Sequence, residues 1–317
     1  MSIEISVVIC TYNRADLLSV ALESVCQQIL APDRYEIIVV DNASTDNTAE
    51  VVQACQENYP NHSIRSYYET KQGLSHARNR GWIEARGEYV AYIDDDCKVP
   101  EQWLTEAVDI IQSVSPTMLG GPYYAFYNSP KPIWFKDEYG SHIIAGHAGE
   151  LTPDQYLCGG NLFIRKDLLQ AIEGFNSFLG MAGKSIAYGE ETALIRWVRR
   201  NQPQAMLYYS PALYVYHLVR ETKWNFSWLI RQRFAQGRYG YLAFSDNQHT
   251  ISIRHVLGFL GIFFIILYEC TIGVLFRNRR KYPDYHNFLY ERAFQKIAIL
   301  GKLYERIRWN FFRVKTT

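Results

Sequence analysis

The chain has 317 residues, enough for one large domain or a domain with an appendage, and enough to bury a sizeable core. A formal net charge of +1 excludes the basic field that a nucleic-acid binder uses to displace counterions from phosphates. Six scattered cysteines (Cys10, Cys26, Cys55, Cys97, Cys158, Cys270) form no C-x-x-C pair and no zinc spacing, which fits a reducing compartment better than a disulfide framework.

The first residues read directly as a strand, because Ile5 to Cys10 (ISVVIC) is apolar and β-branched. No basic segment followed by an apolar stretch and a cleavage site stands there, so a cytoplasmic start is expected. Leu17, Leu18, Ala21, Leu22 and Val25 follow at helical spacing, then a second apolar run, Glu36 to Val40. A polar turn over 42–47 leads into a helix ending near Tyr59, and Ile64 to Tyr68 is a third strand. Ser75 to Ala85 reads as a helix and Glu88 to Ile93 as a fourth strand. Apolar strands alternating with helices predict an α/β fold with a mostly parallel sheet covered on both faces. Ligands of such sheets bind beyond the carboxyl ends of the strands. From Met118 to Tyr156 no period is legible; Leu157 to Arg165 then reads as a strand, Glu190 to Arg200 as a helix, and Met206–Tyr209 and Leu213–His217 as strands.

The residues at those strand ends carry the chemical signals. Asp94-Asp95-Asp96 closes the fourth strand with three mutually repelling carboxylates, which suits either a hard cation such as Mg²⁺ or Mn²⁺ or a solvated acidic loop. Asp41 ends the second strand, where it can accept from a nucleobase or ribose, or can start an Asx turn. Lys71 to Gly81 (KQGLSHARNRG) offers a helix N-terminus with Arg78 for a diphosphate, or an ordinary helix capped by Ser75. Glu190-Glu191 opens a helix, as acid–base residues or as simple complements to the helix dipole. His217 ends a strand, as a ligand or as a structural histidine. Gly183-Lys184-Ser185 is not a P-loop, since Phe178 occupies the position of the first glycine.

Taken in order, SVVICTYNR (6–14), IVVDNAST (38–45), GLSHARNRG (73–81), GEYVAYIDDD (87–96), GGNLFIR (159–165), GFN (174–176), GEET (189–192) and VYH (215–217) resemble family 2 glycosyltransferases over about residues 4–240. That resemblance implies a GT-A fold, a nucleotide-sugar donor, a Mg²⁺ or Mn²⁺ cofactor and transfer with inversion. It implies that Thr11, Tyr12, Asn13 and Arg14 line the nucleotide, that Asp41 meets the base, and that Arg78 meets the donor. Asp94 and Asp95 would face ribose and sugar, and Asp96, with His217, would hold the metal. Gly160, Asn161 and Glu190 would lie on the acceptor side, and Glu191 would be the general base, a Glu where the family has Asp. The processive Gln-x-x-Arg-Trp motif is absent from 231–238 (RQRFAQGR), which favours single addition.

The tail differs in kind. Val256 to Phe276 is apolar apart from Glu269, and as a helix would reach ~30 Å, about one hydrocarbon thickness. Arg231, Arg233, Arg238 and Arg254 precede it, and Arg277, Arg279, Arg280 and Lys281 follow it. Positive charge on both sides disfavours a simple span and favours a re-entrant or surface-lying helix. The expected organisation is a catalytic domain over 1–245, with a nucleotide half over 1–116 and an acceptor half over 117–245, then membrane-associated helices over 246–317. The expected partners are a nucleotide sugar, a saccharide or lipid-linked acceptor and the cytoplasmic face of a membrane. A nucleotidyltransferase would carry a glycine-rich loop after the first strand, where Thr11-Tyr12-Asn13-Arg14 stands. A catalytically silent scaffold would have no need of Asp94–Asp96 and Glu191.

Overall fold

A computed structural model describes residues 3–183, 185–244 and 251–313. The expected boundary at 245/246 therefore lies outside the described residues, as does Lys184. The first part alternates: β1 (Ile5–Thr11), α1 (Ala15–Cys26), β2 (Tyr35–Asp41), α2 (Thr48–Asn58), β3 (Ile64–Tyr68), α3 (Leu74–Glu84), β4 (Tyr89–Asp94). It continues with β5 (Cys97–Lys98), α4 (Trp103–Val114), β6 (Met118–Gly120), β7 (Tyr123–Phe126), α5 (Asp137–Gly140), β8 (Gly149–Glu150) and β9 (Asn161–Arg165). Then come α6 (Lys166–Ala171), α7 (Glu190–Asn201), β10 (Leu207–Tyr209) and β11 (Val215–Leu218).

Two compact units are present. The first takes the described residues up to Phe126, then Asp137–Gly183 and Glu190–Val219. Its eight-stranded sheet runs β3-β2-β1-β4-β9-β6-β10-β8, and a second sheet runs β5-β11-β7. β1 pairs in parallel with both β2 and β4, so the strand order reverses beside β1 and opens a crevice at the carboxyl ends of β1 and β4. The expected mostly parallel sheet is present, with β9 inserted antiparallel between β4 and β6. Only Asn161–Arg165 of the expected 157–165 strand is extended, since Gly159 and Gly160 form a turn before it. The stretch without sequence period contains β6, β7, α5 and β8, all too short to show one.

Side chains of β1, β2 and β4 are buried on both faces of the sheet. On one face Val7, Ile9, Ile37 and Val39 pack with Leu18, Leu22, Trp103 and Phe163; on the other Val8, Ile38 and Tyr92 pack with Ala77, Phe175, Leu194 and Ile195. Burial of apolar surface at ~25 cal/mol per Å² on both faces fixes the strand ends that carry the site.

The second unit takes Tyr127–Lys136, the described residues between Gly183 and Glu190, and those from Arg220 onward. Its helices are α8 (Phe226–Phe244), α9 (Ile253–Tyr268) continued by a π turn over Glu269–Gly273, α10 (Tyr285–Phe288) with a π turn over Leu289–Phe294, and α11 (Gln295–Arg313). α8 and α11 approach so closely that a Cβ on Gly237 would stand 1.8 Å from the Ala298 carbonyl oxygen. Glu305, fully buried on α11, accepts from Arg238 Nε at 2.6 Å.

Candidate active site

The crevice begins with the loops after β1 and β2, which hold each other. Asn13, in the left-handed region at φ 52°, accepts from the Thr45 amide at 2.7 Å, and its own amide donates to Ser44 Oγ at 3.0 Å. Asp41 Oδ1 accepts from the Ser44 amide, three residues on, at 2.8 Å, so the carboxylate holds the start of the turn that follows β2. Asn42, buried, donates to the Glu69 and Lys71 carbonyls and accepts from the Gly73 amide, which ties the loop before α3 to the end of β2. Thr11 is buried at the end of β1, Tyr12 is half-buried and Asn13 exposed.

Beside them, Arg14 donates to Asp95 at 2.7 Å and stands 3.8 Å from Asp96. Burial pushes the Asp95 carboxyl up to about 7, although Arg14 opposes the shift. Asp96 is buried and lies 3.4 Å from His217 Nε2. That proximity comes from the small sheet: His217 is registered opposite Cys97, and the Leu218 amide donates to the Asp96 carbonyl. The imidazole stacks on Tyr123 at 5.3 Å between centroids. Ligand atoms of Asp94, Asp96, Cys97 and His217 all lie within 4.8 Å of one another. Two carboxylates and an imidazole suit Mn²⁺ or Mg²⁺, which favour oxygen donors and tolerate a nitrogen. The residues fit the cation that the sequence suggested.

The ordinary helix capped by Ser75 is not found: Gly73 precedes the helix, Ser75 Oγ donates to the Leu179 carbonyl, and Arg78 is 3% exposed. The guanidinium donates to Glu190 Oε1 at 2.8 Å, stands 3.5 Å from Asp94 Oδ1, and lies against the Tyr92 and Phe175 rings. It bridges the Asp94 and Glu190 carboxylates. Gly159 and Gly160 are the floor of this bridge. A Cβ on Gly159 would stand 2.6 Å from Arg78 Nη2, and one on Gly160 2.3 Å from Asp94 Oδ2. The Gly160 amide donates to Tyr123 Oη at 2.6 Å.

Asn161 is turned away from the crevice. Fully buried, it donates to the Leu213 carbonyl and accepts from Trp103 Nε1, so it braces β9 within the core. Glu190 Oε2 is buried and has no hydrogen-bond partner, while Glu191 is half-buried beside it. Burial first, then the Glu190 carboxylate, pushes the Glu191 carboxyl up to about 8. Once it has lost its proton, a carboxylate so tuned is a stronger base than an ordinary one and can take a proton from a hydroxyl.

Comparison with known proteins settles the family. The profile described as glycosyl transferase family 2 matches residues 6–173. The chain belongs to glycosyltransferase family 2. It is 30% identical over 179 residues to the glycosyltransferase AglE of Haloferax volcanii, covering 56% of this chain and 58% of that one. It is 24% identical over 252 residues to the succinoglycan biosynthesis protein ExoM of Rhizobium meliloti, covering 79% and 78%. The fold matches the mannosyltransferase PcManGT of Pyrobaculum calidifontis, solved with GDP-Man and Mn²⁺, at a TM-score of 0.67 and 18% identity, over 96% of this chain and 88% of that one. It also matches S. aureus TarS 1–349, solved with UDP-GlcNAc, at a TM-score of 0.56 and 18% identity, over 99% and 92%. The GT-A architecture expected from the sequence is therefore present.

Tyr123 and Asn42 were not legible as site residues. Tyr123 sits in the stretch without period, and its only signal is an aromatic residue after Gly121-Pro122. Asn42 follows Asp41 directly, and an asparagine after a buried strand could have been read as the loop's anchor.

Proposed function

We propose that the chain transfers a sugar from a nucleotide-diphosphate donor, a UDP-sugar, to an acceptor hydroxyl with inversion and one addition per acceptor. The observation that carries this reading is the Arg78 bridge between Asp94 and Glu190, which sets a cation-binding carboxylate cluster and the raised carboxyl of Glu191 on the two sides of one crevice. Asp41 offers a carboxylate oxygen to the ring N–H that uracil carries; guanine carries one too, whereas cytosine and adenine lack it. Asp94, partly exposed, would accept from a ribose or sugar hydroxyl, and Asp95, buried against Arg14, would hold that arginine beside the donor. Asp94, Asp96 and His217 would hold Mn²⁺ or Mg²⁺, and the bound cation offsets the charge the diphosphate gains on leaving.

Glu191 takes the proton of the acceptor hydroxyl. The oxygen then attacks the anomeric carbon opposite the diphosphate, the new glycosidic bond forms, and the bond to the diphosphate oxygen breaks. Inversion follows from a single in-line displacement. The 21-residue apolar helix Ile253–Gly273 is long and apolar enough to reach across a membrane. With it, and with relatives that include a glucosyl-dolichyl phosphate glucuronosyltransferase of H. volcanii, we place the acceptor on a lipid or growing polysaccharide at the cytoplasmic membrane face. The test incubates purified protein with Mn²⁺ and a panel of UDP-, GDP- and other nucleotide sugars, with membrane extract as acceptor. Nucleoside-diphosphate release from one donor, absent in Asp96→Ala, is expected. Release equal in the two proteins would overturn the reading, and release from a GDP-sugar alone would correct the base.

A further inference from the structure

α9 and its π turn present two unlike sides. His255, Phe259, Ile262, Ile266, Glu269 and Gly273 recur at three- and four-residue spacing and are the more covered positions. This stripe faces the chain that returns antiparallel through α10 and α11. Gly258 meets Leu303, Glu269 meets Lys296 and Arg292, and a Cβ on Gly273 would reach Phe288 at 3.3 Å. The other side is bare hydrocarbon: Leu257, Phe264 and Leu275 are 59%, 61% and 71% exposed. Leu257 and Phe264 are seven residues apart, close to two whole turns, and Leu257, Phe264 and Leu275 each follow a stripe position (His255, Ile262, Gly273) by two residues, so all three face away from the stripe.

Glu269 decides how this helix can meet a bilayer. It is 6% exposed, with Arg292 Nη2 at 3.2 Å and Lys296 Nζ at 3.4 Å. If α9 crossed the hydrocarbon, the partner stretch 288–303 would cross with it. That stretch carries Glu291, Arg292, Lys296 and Lys302, of which Arg292 and Lys302 are exposed. Each charge at the bilayer centre costs ~2.5–3.5 kcal/mol even on the most lenient scale. A span is therefore blocked by the helix that packs on α9.

Basic residues at both ends point to the alternative. Arg254 is exposed at the start, and Arg279, Arg280 and Lys281 are exposed just past the end. In a span one of these groups would have to leave the cytoplasm; in a helix lying flat both reach the same anionic headgroups. We infer that α9 lies in the plane of one leaflet, its Leu257–Phe264–Leu275 side sunk among acyl chains and its Glu269 side sealed by α11 on the water side. The lipid surface is the occupant of this face because exposed cations bracket an apolar strip that has no polar rim. This deepens the membrane placement proposed above and rests on it.

The test uses the full chain with Cys270→Ser, since Cys270 is exposed on the same helix. Leu257→Cys, Phe264→Cys and Leu275→Cys are each labelled with a fluorophore and bound to vesicles with and without phosphatidylglycerol. The Cys270→Ser protein alone serves as the labelling blank. Lipids quenching at known depths then report each position. Equal, shallow depth at all three positions, with binding that strengthens with phosphatidylglycerol and weakens with salt, is the expected result. The segment from 257 to 275 is ~27 Å long as a helix. A span would therefore put Phe264 many ångströms deeper than one or both ends, overturning the in-plane helix while leaving membrane placement intact. No quenching and no flotation with any vesicle would overturn both. So would a dimer in sedimentation that buries the labels without lipid.

Discussion

Replacing Arg78 by Met removes the guanidinium that joins the two sides of the crevice while keeping an unbranched chain between Tyr92 and Phe175. Glu190 then loses its 2.8 Å partner with both side chains nearly sealed, at 4% and 6% exposure. Breaking a buried pair by removing one partner costs ~3–5 kcal/mol. Asp94 adds little, being 32% exposed and 3.5 Å away, where solvent screening leaves ~0–1 kcal/mol. A loss of roughly 3–6 kcal/mol, at ~2–4 °C per kcal/mol for a chain of this class, lowers Tm by roughly 6–24 °C. The assay is thermal unfolding of Arg78→Met beside Arg78→Met/Glu190→Gln. The double variant, which no longer buries a lone carboxylate, should regain at least half of the loss. A single variant within about 2 °C of the parent, or a double variant no more stable than the single, would refute the buried bridge.

Further outcomes follow from the same geometry. Glu191 must lose its proton to act as a base, so kcat/KM should rise with pH along a limb near 8. Glu190→Gln, by removing a neighbouring negative charge, should move that limb to lower pH, and an unmoved limb would remove Glu190 from the account. Because the folded-state Glu191 carboxyl is raised above its ordinary range, the folded chain holds a proton there that the unfolded chain releases. Its contribution to stability is therefore full below about 4.5 and lost as pH rises through about 8. Glu191→Gln should accordingly unfold at higher temperature than the parent at pH 8 to 9 and show no such gain near pH 4. Mn²⁺ at a hundredfold excess over its Kd should stabilise the protein by ~2.7 kcal/mol; His217→Ala should lose most of that shift, and an equal shift would move the metal elsewhere. Gly160→Ala puts a Cβ 2.3 Å from Asp94 Oδ2 and should cost ~10²-fold in turnover by displacing that carboxylate, with circular dichroism unchanged; normal turnover would show that Asp94 has room to move.

The crevice residues after β1, β2 and β4 were legible because they sit at strand ends. β1, β2 and β4 announce themselves as unbroken apolar runs, and the polar residue that ends each run must lie at the crevice. Arg78 was legible as a site residue but not in its surroundings: its partner Glu190 is 112 positions away, and helix spacing places neither side chain relative to the other. Asn161 reads like a site residue because it follows two crevice glycines, yet β9 runs antiparallel and turns its amide inward to Leu213 and Trp103. Tyr123 and the small sheet escaped notice because strands of two to four residues carry no period. Glu269 could be read as an anomaly in an apolar run, but the two cations that neutralise it become apparent only when α11 folds back.

The measurement closest to the central claim compares the parent with Glu191→Gln in two assays on one preparation: calorimetric binding of the nucleotide-sugar donor with Mn²⁺, and acceptor-dependent release of nucleoside diphosphate. Donor affinity within a few-fold of the parent, with transfer reduced by ~10²–10⁴-fold, is the predicted result for a general base. Transfer that survives the substitution, or donor binding lost to the same degree as transfer, would contradict it.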